Sequence, residues 1–478
     1  MMENISGTRK ADAPDEVMIS LYAAREKIYP RSVSGFFSKW RWVMIWITQI
    51  VFYGVPWLQW GERQAVLFHL ETRRFYIFDL VLYPQDLIYL TAILIISALS
   101  LFLFTAVAGR LWCGYTCPQT VYTEIFLWIE KIIEGDRAAR IKLDKSGMTA
   151  EKLTKKSLKH LVWGVFALWT GLTFVGYFTP IRELLQNILV LQMGPWETFW
   201  ILFYGFATYG NAGFMREQVC KYMCPYARFQ SAMFDKDTLI VTYDAKRGEP
   251  RGSRSRKDDP KQLGLGSCID CSLCVQVCPT GIDIRKGLQY ECIGCGACAD
   301  VCDSVMDKVG YARGLIRYTT ENGMRHHWSK AEMLRRVFRP RVIVYSSILA
   351  VLVTALLVSL AMRTPFMADV IRDRGVMSRI VEGGFLENVY RMQLMNATER
   401  EQSYRISARG DSSLRLKSPD IDEHHSVTLG PAESRWITLY LQVPDGQLEP
   451  GSHRVWFDIE MVNSEKRLEE KSVFLVPR

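Results

Sequence analysis

Twelve cysteines carry the chemistry that can be read from this 478-residue chain, and all of them fall in four short groups. Cys268-x-x-Cys271-x-x-Cys274-x-x-x-Cys278-Pro279 is followed by a second copy of the same spacing, Cys292-x-x-Cys295-x-x-Cys298-x-x-x-Cys302. This is the pattern of bacterial two-cluster ferredoxins. Three cysteines two residues apart wrap one 4Fe-4S cube, and the fourth, displaced by a turn, reaches the other. The expected ligand sets are Cys268, Cys271, Cys274 and Cys302 for one cluster, and Cys292, Cys295, Cys298 and Cys278 for the other. Gly294 and Gly296 would let backbone amides approach and hydrogen-bond the sulfurs. Zinc sites use separated Cys-x-x-Cys pairs rather than a repeated fourfold run. Asp303 stands where bacterial ferredoxins often have proline, and since proline is no ligand the sets are unaffected.

The other four cysteines form two Cys-x-x-x-Cys-Pro motifs, Cys113-Gly-Tyr-Thr-Cys117-Pro118 and Cys220-Lys-Tyr-Met-Cys224-Pro225. In a helix, residues four apart share one face, so each pair of sulfurs would point the same way. The proline suits the first turn of a following helix. The second cysteine would then sit at a helix N-terminus, where its thiolate is favoured and its reactivity raised. Soft thiolates select Cu(I), and paired thiols also serve as redox-active dithiols. Spacing alone leaves a copper site, a dithiol relay and plain buried residues all open at Cys113, Cys117, Cys220 and Cys224.

The elements that must position these groups are membrane helices. Five apolar stretches free of charge run Trp42–Trp60, Leu87–Ala108, Leu161–Thr179, Thr198–Met215 and Val342–Met362, each near the 17–25 residues a spanning helix needs. Pro56 falls in the first, and Trp and Tyr gather at their ends as in interfacial belts. Both cysteine motifs follow the second helix of a pair, and each is followed by an amphipathic stretch, 119–133 and 226–234. The two halves form a weak internal repeat. Lys and Arg are asymmetric, with seven in residues 1–41 (Arg9, Lys10 and Arg25 among them), three in 61–86, ten in 109–160 and one in 180–195. The positive-inside rule therefore places the N-terminus, the second loop and residues 216–341 in the cytoplasm, and residues 363–478 outside. The net charge of +9 is thus a topology signal rather than a nucleic-acid footprint.

The expected organisation is a cytoplasmic segment, 1–41; a four-helix membrane domain, 42–215; a cytoplasmic segment, 216–341, with an α+β ferredoxin-type insert at roughly 260–310; a fifth helix, 342–362; and a tail, 363–478. The tail lacks cysteine and alternates over Val389–Leu394, Trp436–Val443, Arg454–Met461 and Val473–Val476 between turn signals, as an immunoglobulin-like β-sandwich would. Residues 1–41 lack the apolar core of a signal peptide. Tight cysteine groups in a large chain need a reducing compartment. No haem attachment motif, Walker loop or dinucleotide fingerprint occurs. Asn396-Ala397-Thr398 reads as an ordinary surface tripeptide rather than a glycosylation site.

This order of motifs, with Arg73-Arg-Phe-Tyr-Ile-Phe78 and Tyr83-Pro-Gln-Asp86, resembles the cytochrome c oxidase accessory proteins of the FixG/RdxA/CcoG group over nearly the whole chain. The membrane part alone is also similar to membrane ferredoxins of nitrate and nitrous oxide reduction. The resemblance implies a multi-pass protein of the bacterial inner membrane with two 4Fe-4S clusters. It implies a cupric reductase that makes Cu(I) for a cbb3-type oxidase, with copper as substrate or as ligand of the four membrane cysteines. The partners implied are the oxidase assembly machinery or a copper chaperone, and a cytoplasmic electron donor. The rival expectations are a quinol-linked relay to another acceptor and a non-catalytic assembly scaffold.

Overall fold

A computed structural model describes residues 27–254 and 263–477, except 374, 376, 377, 423 and 463. Arg9, Lys10 and Arg25, counted above for topology, lie outside the described residues.

The chain enters its first helix, α1 (Phe36–Gly54), from an extended segment. A three-stranded antiparallel sheet follows: β1 (Val66–His69), β2 (Arg74–Ile77) and β3 (Leu80–Leu82). Then come α2 (Leu87–Ala108), α3 (Leu111–Tyr115), α4 (Pro118–Glu134), α5 (Arg137–Lys145) and α6 (Ala150–Val175). The amphipathic α7 (Ile181–Leu189) leads into α8 (Pro195–Thr208) and, after the second cysteine motif, α9 (Pro225–Met233). The ferredoxin-type region pairs β4 (Ile240–Tyr243) with β5 (Ile316–Thr319) and carries α10 (Leu273–Gln276) and α11 (Ala297–Val309) between them. The long helix α12 (Pro340–Met362) leads to the tail.

Among the described residues three helices, not five, are long and apolar enough to cross a membrane: Pro84–Ala108, α6 and α12. The first expected span fails because α1 begins at Phe36, taking in Lys39 and Arg41, and ends at Gly54. Pro56 lies in a 3-10 turn beyond it, and Gln59–Trp60 already pairs with Arg63–Gln64. The fourth fails because α8 stops after 14 residues and continues as a π-type turn over Tyr209–Met215. The α6 and α8 backbones touch where Gly171 faces Gly205; a methyl group on Gly171 would lie 2.9 Å from the Gly205 nitrogen. Small residues at a crossing allow this approach. Helix α2 packs along α12.

The tail folds as two antiparallel sheets over one apolar core that includes Tyr390, Leu394, Tyr404, Leu439, Phe457 and Phe474. Its strands are β6 (Phe366–Arg372), β7 (Arg379–Val381), β8 (Phe385–Asn396), β9 (Gln402–Arg409), β10 (Arg415–Lys417), β11 (Ser426–Leu429), β12 (Ser434–Pro444), β13 (Gly451–Met461) and β14 (Arg467–Val476). One sheet runs β10-β12-β8-β6 with β7 on β8, the other β11-β9-β13-β14. All four alternating runs seen in the sequence fall inside these strands. Asn396 is fully buried at the end of β8, and its side chain bonds the Arg400 and Gly430 carbonyls and the Thr398 amide.

The β1–β3 sheet shares a core with the sandwich: Leu67, Tyr76, Val81 and Tyr83 pack with Met395, Ala397 and Ala432. Arg363 clamps Asp86 through two bonds, at 2.6 and 3.1 Å. Loop and tail therefore lie on one side of the membrane helices. The ferredoxin-type region lies at the other end of α1, where the Asp300 carboxylate of α11 accepts the Phe37 and Ser38 amides at 3.1 and 2.7 Å. A carboxylate at a helix N-terminus satisfies free amides and suits the helix dipole.

Candidate functional site

Each cysteine run of the ferredoxin-type region curls because two of its residues adopt positive φ. In the second run these are Gly294 (φ 64°) and Gly296 (φ 74°); at the matching places of the first run they are Asp270 (φ 52°) and Ser272 (φ 53°). Alternation of hand along a short loop makes a concave row of amides, suited to anionic sulfur. The Gly294 amide reaches the Cys292 sulfur and the Ala297 amide that of Cys295.

The eight thiols sort around two cavities. One is lined by Cys268, Cys271, Cys274 and Cys302, with Tyr243 and Arg285. The other is lined by Cys278, Cys292, Cys295 and Cys298, with Cys274 at its border. The fourth cysteine of each run thus faces the cavity of the other, as the spacing predicts. Burial pushes the thiols up: Cys274 to about 11, Cys292 and Cys302 to about 12, and Cys298 well above the usual value. Sulfurs so hard to ionise in the apolar interior are ones that a metal must deprotonate on binding. Four thiols around each cavity, with amides on sulfur, are the donor set of a 4Fe-4S cluster, and the residues present fit two.

The membrane cysteines also converge. Each of Cys113, Cys117, Cys220 and Cys224 lies close enough to the other three to oppose their ionisation. Cys113 sits in α3, but the helix breaks before Cys117, which caps α4 in an extended conformation (φ −58°, ψ 127°). Cys220 lies in a π-type turn, and Cys224 caps α9 (φ −76°, ψ 110°). The proline-first helices are as expected, whereas a continuous helix through either pair is not. Nor is the expected gain in reactivity found at Cys117. Burial raises its thiol, outweighing hydrogen bonds from the Thr120 and Gln119 amides. Burial likewise pushes Cys113 to about 11 and Cys220 to about 12.

The internal repeat is visible in the backbone. Gly109, four residues before Cys113, has φ 57° and ψ −123°; Arg216, four before Cys220, has φ 40° and ψ −110°. A side chain pays strain in that conformation. Arg216 is held there by the Gly213 carbonyl at 2.9 Å and by Glu130 at 3.0 Å.

Several working residues escaped the sequence reading. Arg110 counted there as a topology signal; it is buried and donates to the carbonyls of Tyr290, Ala227 and, at 3.4 Å, Cys292. Gly114 seats on the second ferredoxin run: a methyl group there would stand 2.8 Å from the Ile293 oxygen and 2.9 Å from the Cys295 Cα. A glycine between two cysteines was the available clue. Gln230 is fully buried, with its amide nitrogen and oxygen 3.5 and 3.7 Å from the Cys113 sulfur. Cys113 also packs into the apolar cluster of Val277, Ile293, Cys295 and Val301. Among the described residues, no three Cys, His, Asp or Glu side chains converge as tightly as a single ion requires.

Helices long and apolar enough to cross a membrane, joined to a two-cavity ferredoxin region, define a membrane-associated iron–sulfur electron-transfer protein. A 4Fe-4S dicluster domain matches residues 215–321, a 4Fe-4S binding domain residues 90–134, and the IG-like fold at the C-terminal of FixG residues 356–477. Protein RdxB of Cereibacter sphaeroides is 37% identical over 97% of this chain and 98% of its own length. Protein RdxA of the same organism is 39% identical over 89% and 91%, and nitrogen fixation protein FixG of Rhizobium meliloti 34% over 89% and 88%. The chain belongs to the FixG/RdxA family.

Proposed function

We propose that this protein takes electrons into its ferredoxin region and delivers them singly, through the four membrane thiols, to Cu(II), yielding Cu(I) for assembly of a cbb3-type oxidase. In this reading Cys268, Cys271, Cys274 and Cys302 hold one 4Fe-4S cluster and Cys292, Cys295, Cys298 and Cys278 the other. When bound, the clusters supply one-electron transfer. The observation that carries the reading is the seat of Gly114 on Ile293 and Cys295, which leaves no layer of side chains between the second ferredoxin run and the first membrane motif. Arg110 fastens that contact from the membrane side.

Of the three readings left open by spacing, relay is favoured over copper ligand, because no three of the thiols converge as tightly as a single ion requires, and over plain buried residues, because the first motif is seated directly on the second ferredoxin run. Copper is therefore written as substrate: Cu(II) gains one electron and leaves as Cu(I), the form that soft-ligand chaperones accept. The ferredoxin region faces the cytoplasmic donor, and the sandwich faces the periplasm, where it docks an assembly partner.

The test is anaerobic. Protein in detergent is reduced, then given Cu(II) and a Cu(I)-specific chelator while the visible bleaching and EPR signal are followed. Reoxidation with stoichiometric Cu(I) is expected, slowed by Cys113→Ala or Cys220→Ala. Protein that stays reduced with copper but reoxidises with quinone is a relay to another acceptor. Protein that exchanges with neither is a scaffold.

A further inference from the structure

We infer that Cys113, Cys117, Cys220 and Cys224 together hold a third iron–sulfur group, of the four-iron class, shared between the two halves of the membrane domain. Residues 90–134 match a 4Fe-4S binding domain, yet the only cysteines within them are Cys113 and Cys117, half of a four-thiolate set. The dicluster match begins at residue 215, and beyond the eight cysteines of the ferredoxin runs it contains Cys220 and Cys224. The fold brings these two incomplete pairs into one cluster of four mutually interacting thiols.

The width of that cluster fits. No three of its thiols converge as one ion requires, and the same holds for the eight ferredoxin thiols. The ligands of a four-iron cube stand farther apart than those of a single ion, so both sets share the looser spacing.

The surroundings suit a group of net negative charge. Cys117 and Cys224 open α4 and α9, so two helix N-termini meet at the site. The amides of Gln119 and Thr120 reach Cys117. Arg110 lies beside both Cys113 and Cys220. Gln230, without solvent access, presents its amide to the Cys113 sulfur. Hydrogen bonds to sulfur from such partners are what tune a bound cluster. On binding, each thiol would release its proton and form one sulfur–iron bond, with ferrous and ferric iron and sulfide supplied by cluster assembly. Held there, such a group would supply one-electron transfer between the ferredoxin side and the acceptor.

This rests on reading the four thiols as a relay, but the iron count tests the site whether or not copper is reduced. The full chain in detergent is reconstituted anaerobically with ferrous iron and sulfide. About twelve of each per chain are expected, against about eight for a dicluster alone. The double variant Cys113→Ser/Cys220→Ser loses about four irons and keeps the ferredoxin EPR signal. Alkylation of the loaded wild-type protein, read by mass spectrometry, needs no variant: all twelve thiols are protected until the iron is stripped. Eight irons in wild type and variant alike, free alkylation of the four thiols in loaded protein, or stoichiometric copper in their place would each overturn the site. Twelve irons without Cu(II) reduction keeps the site and removes the copper reading.

Discussion

The two cysteine runs share one spacing and one loop shape, yet they face different worlds. Cys271 of the first run is exposed, and its left-handed positions are filled by Asp270 and Ser272. The second run has no exposed cysteine, and its left-handed positions are glycines pressed against neighbours, Gly294 on the Arg110 backbone and Gly296 on the Phe37 ring. An Asp or Ser tolerates positive φ where the loop meets water; only glycine serves where another backbone must come close. The first run is the one open to solvent, and the second is packed against the Cys113–Cys117 motif through Gly114.

The largest way to break this asymmetry is to release the buried side. Glu130 binds Arg140 and Arg216 at 3.0 Å and Lys159 at 3.5 Å, and Arg140 in turn holds the Pro30 carbonyl of the extended segment before α1, whose Val33 packs with Ile293, Cys295 and Val301 of the second run. Glu130→Gln takes the carboxylate from buried Arg140 and Arg216, while Lys159 keeps Glu134 at 2.9 Å, a cost of about 3–5 kcal/mol. A fall in the thermal unfolding midpoint in detergent checks it, and no fall would show that this segment is held otherwise.

Gly114→Val comes next. It overfills the contact with Ile293 and Cys295 and moves the first motif off the second run, at about 1–3 kcal/mol. A displacement of that kind is expected to slow electron exit roughly 100-fold while iron content holds. Stopped-flow reoxidation by the chosen acceptor checks it.

Acid should act on the same buried side. Burial would raise the carboxyls of Glu130 and Asp144, but Arg216, Lys159 and Arg140 at the first, and Lys156, Lys27 and Tyr29 at the second, hold both below the usual range. The folded chain then carries fewer protons than the unfolded one, so stability is full above the ordinary carboxyl range of about 4 and is lost as pH falls through the depressed values. An unfolding midpoint that is level from about pH 7 to 5 and drops below about pH 4 is expected.

The smallest effects sharpen the comparison of the loops themselves. Gly294→Ala is expected to cost about 1–2 kcal/mol, since a Cβ is unfavourable in the left-handed region. Asp270→Gly, at the matching exposed position, is expected to change stability by less than about 0.5 kcal/mol. Chemical denaturation of the two variants side by side reads the difference.

Much of this arrangement was open in the sequence. Cysteine spacing predicted which four thiols would face each cavity, since the register of a short loop is local. Strand alternation in the tail was equally local. What lay hidden depends on how distant segments meet. Helix boundaries at Gly54 and Thr208 are set by a turn containing Pro56 and by a π-type bend, neither of which changes the apolar composition that suggested full spans. Arg110 looks like any cytoplasmic basic residue until its carbonyl partners, 117 to 182 positions away, are in place. Helix-terminus logic predicted a more acidic Cys117, and burial reversed it.

The clamp between Asp86 and Arg363 spans 277 residues. At about 5–20 residues per second of synthesis, the β1–β3 sheet waits tens of seconds for its partner. During that time Leu67 and Val81 have no cover, because Met395, Ala397 and Ala432 have yet to be made. A chain stopped before them would keep the ferredoxin-type region and leave the apolar face of Leu67 and Val81 uncovered. The sandwich thus shields the β1–β3 sheet only once the residues between them have been made.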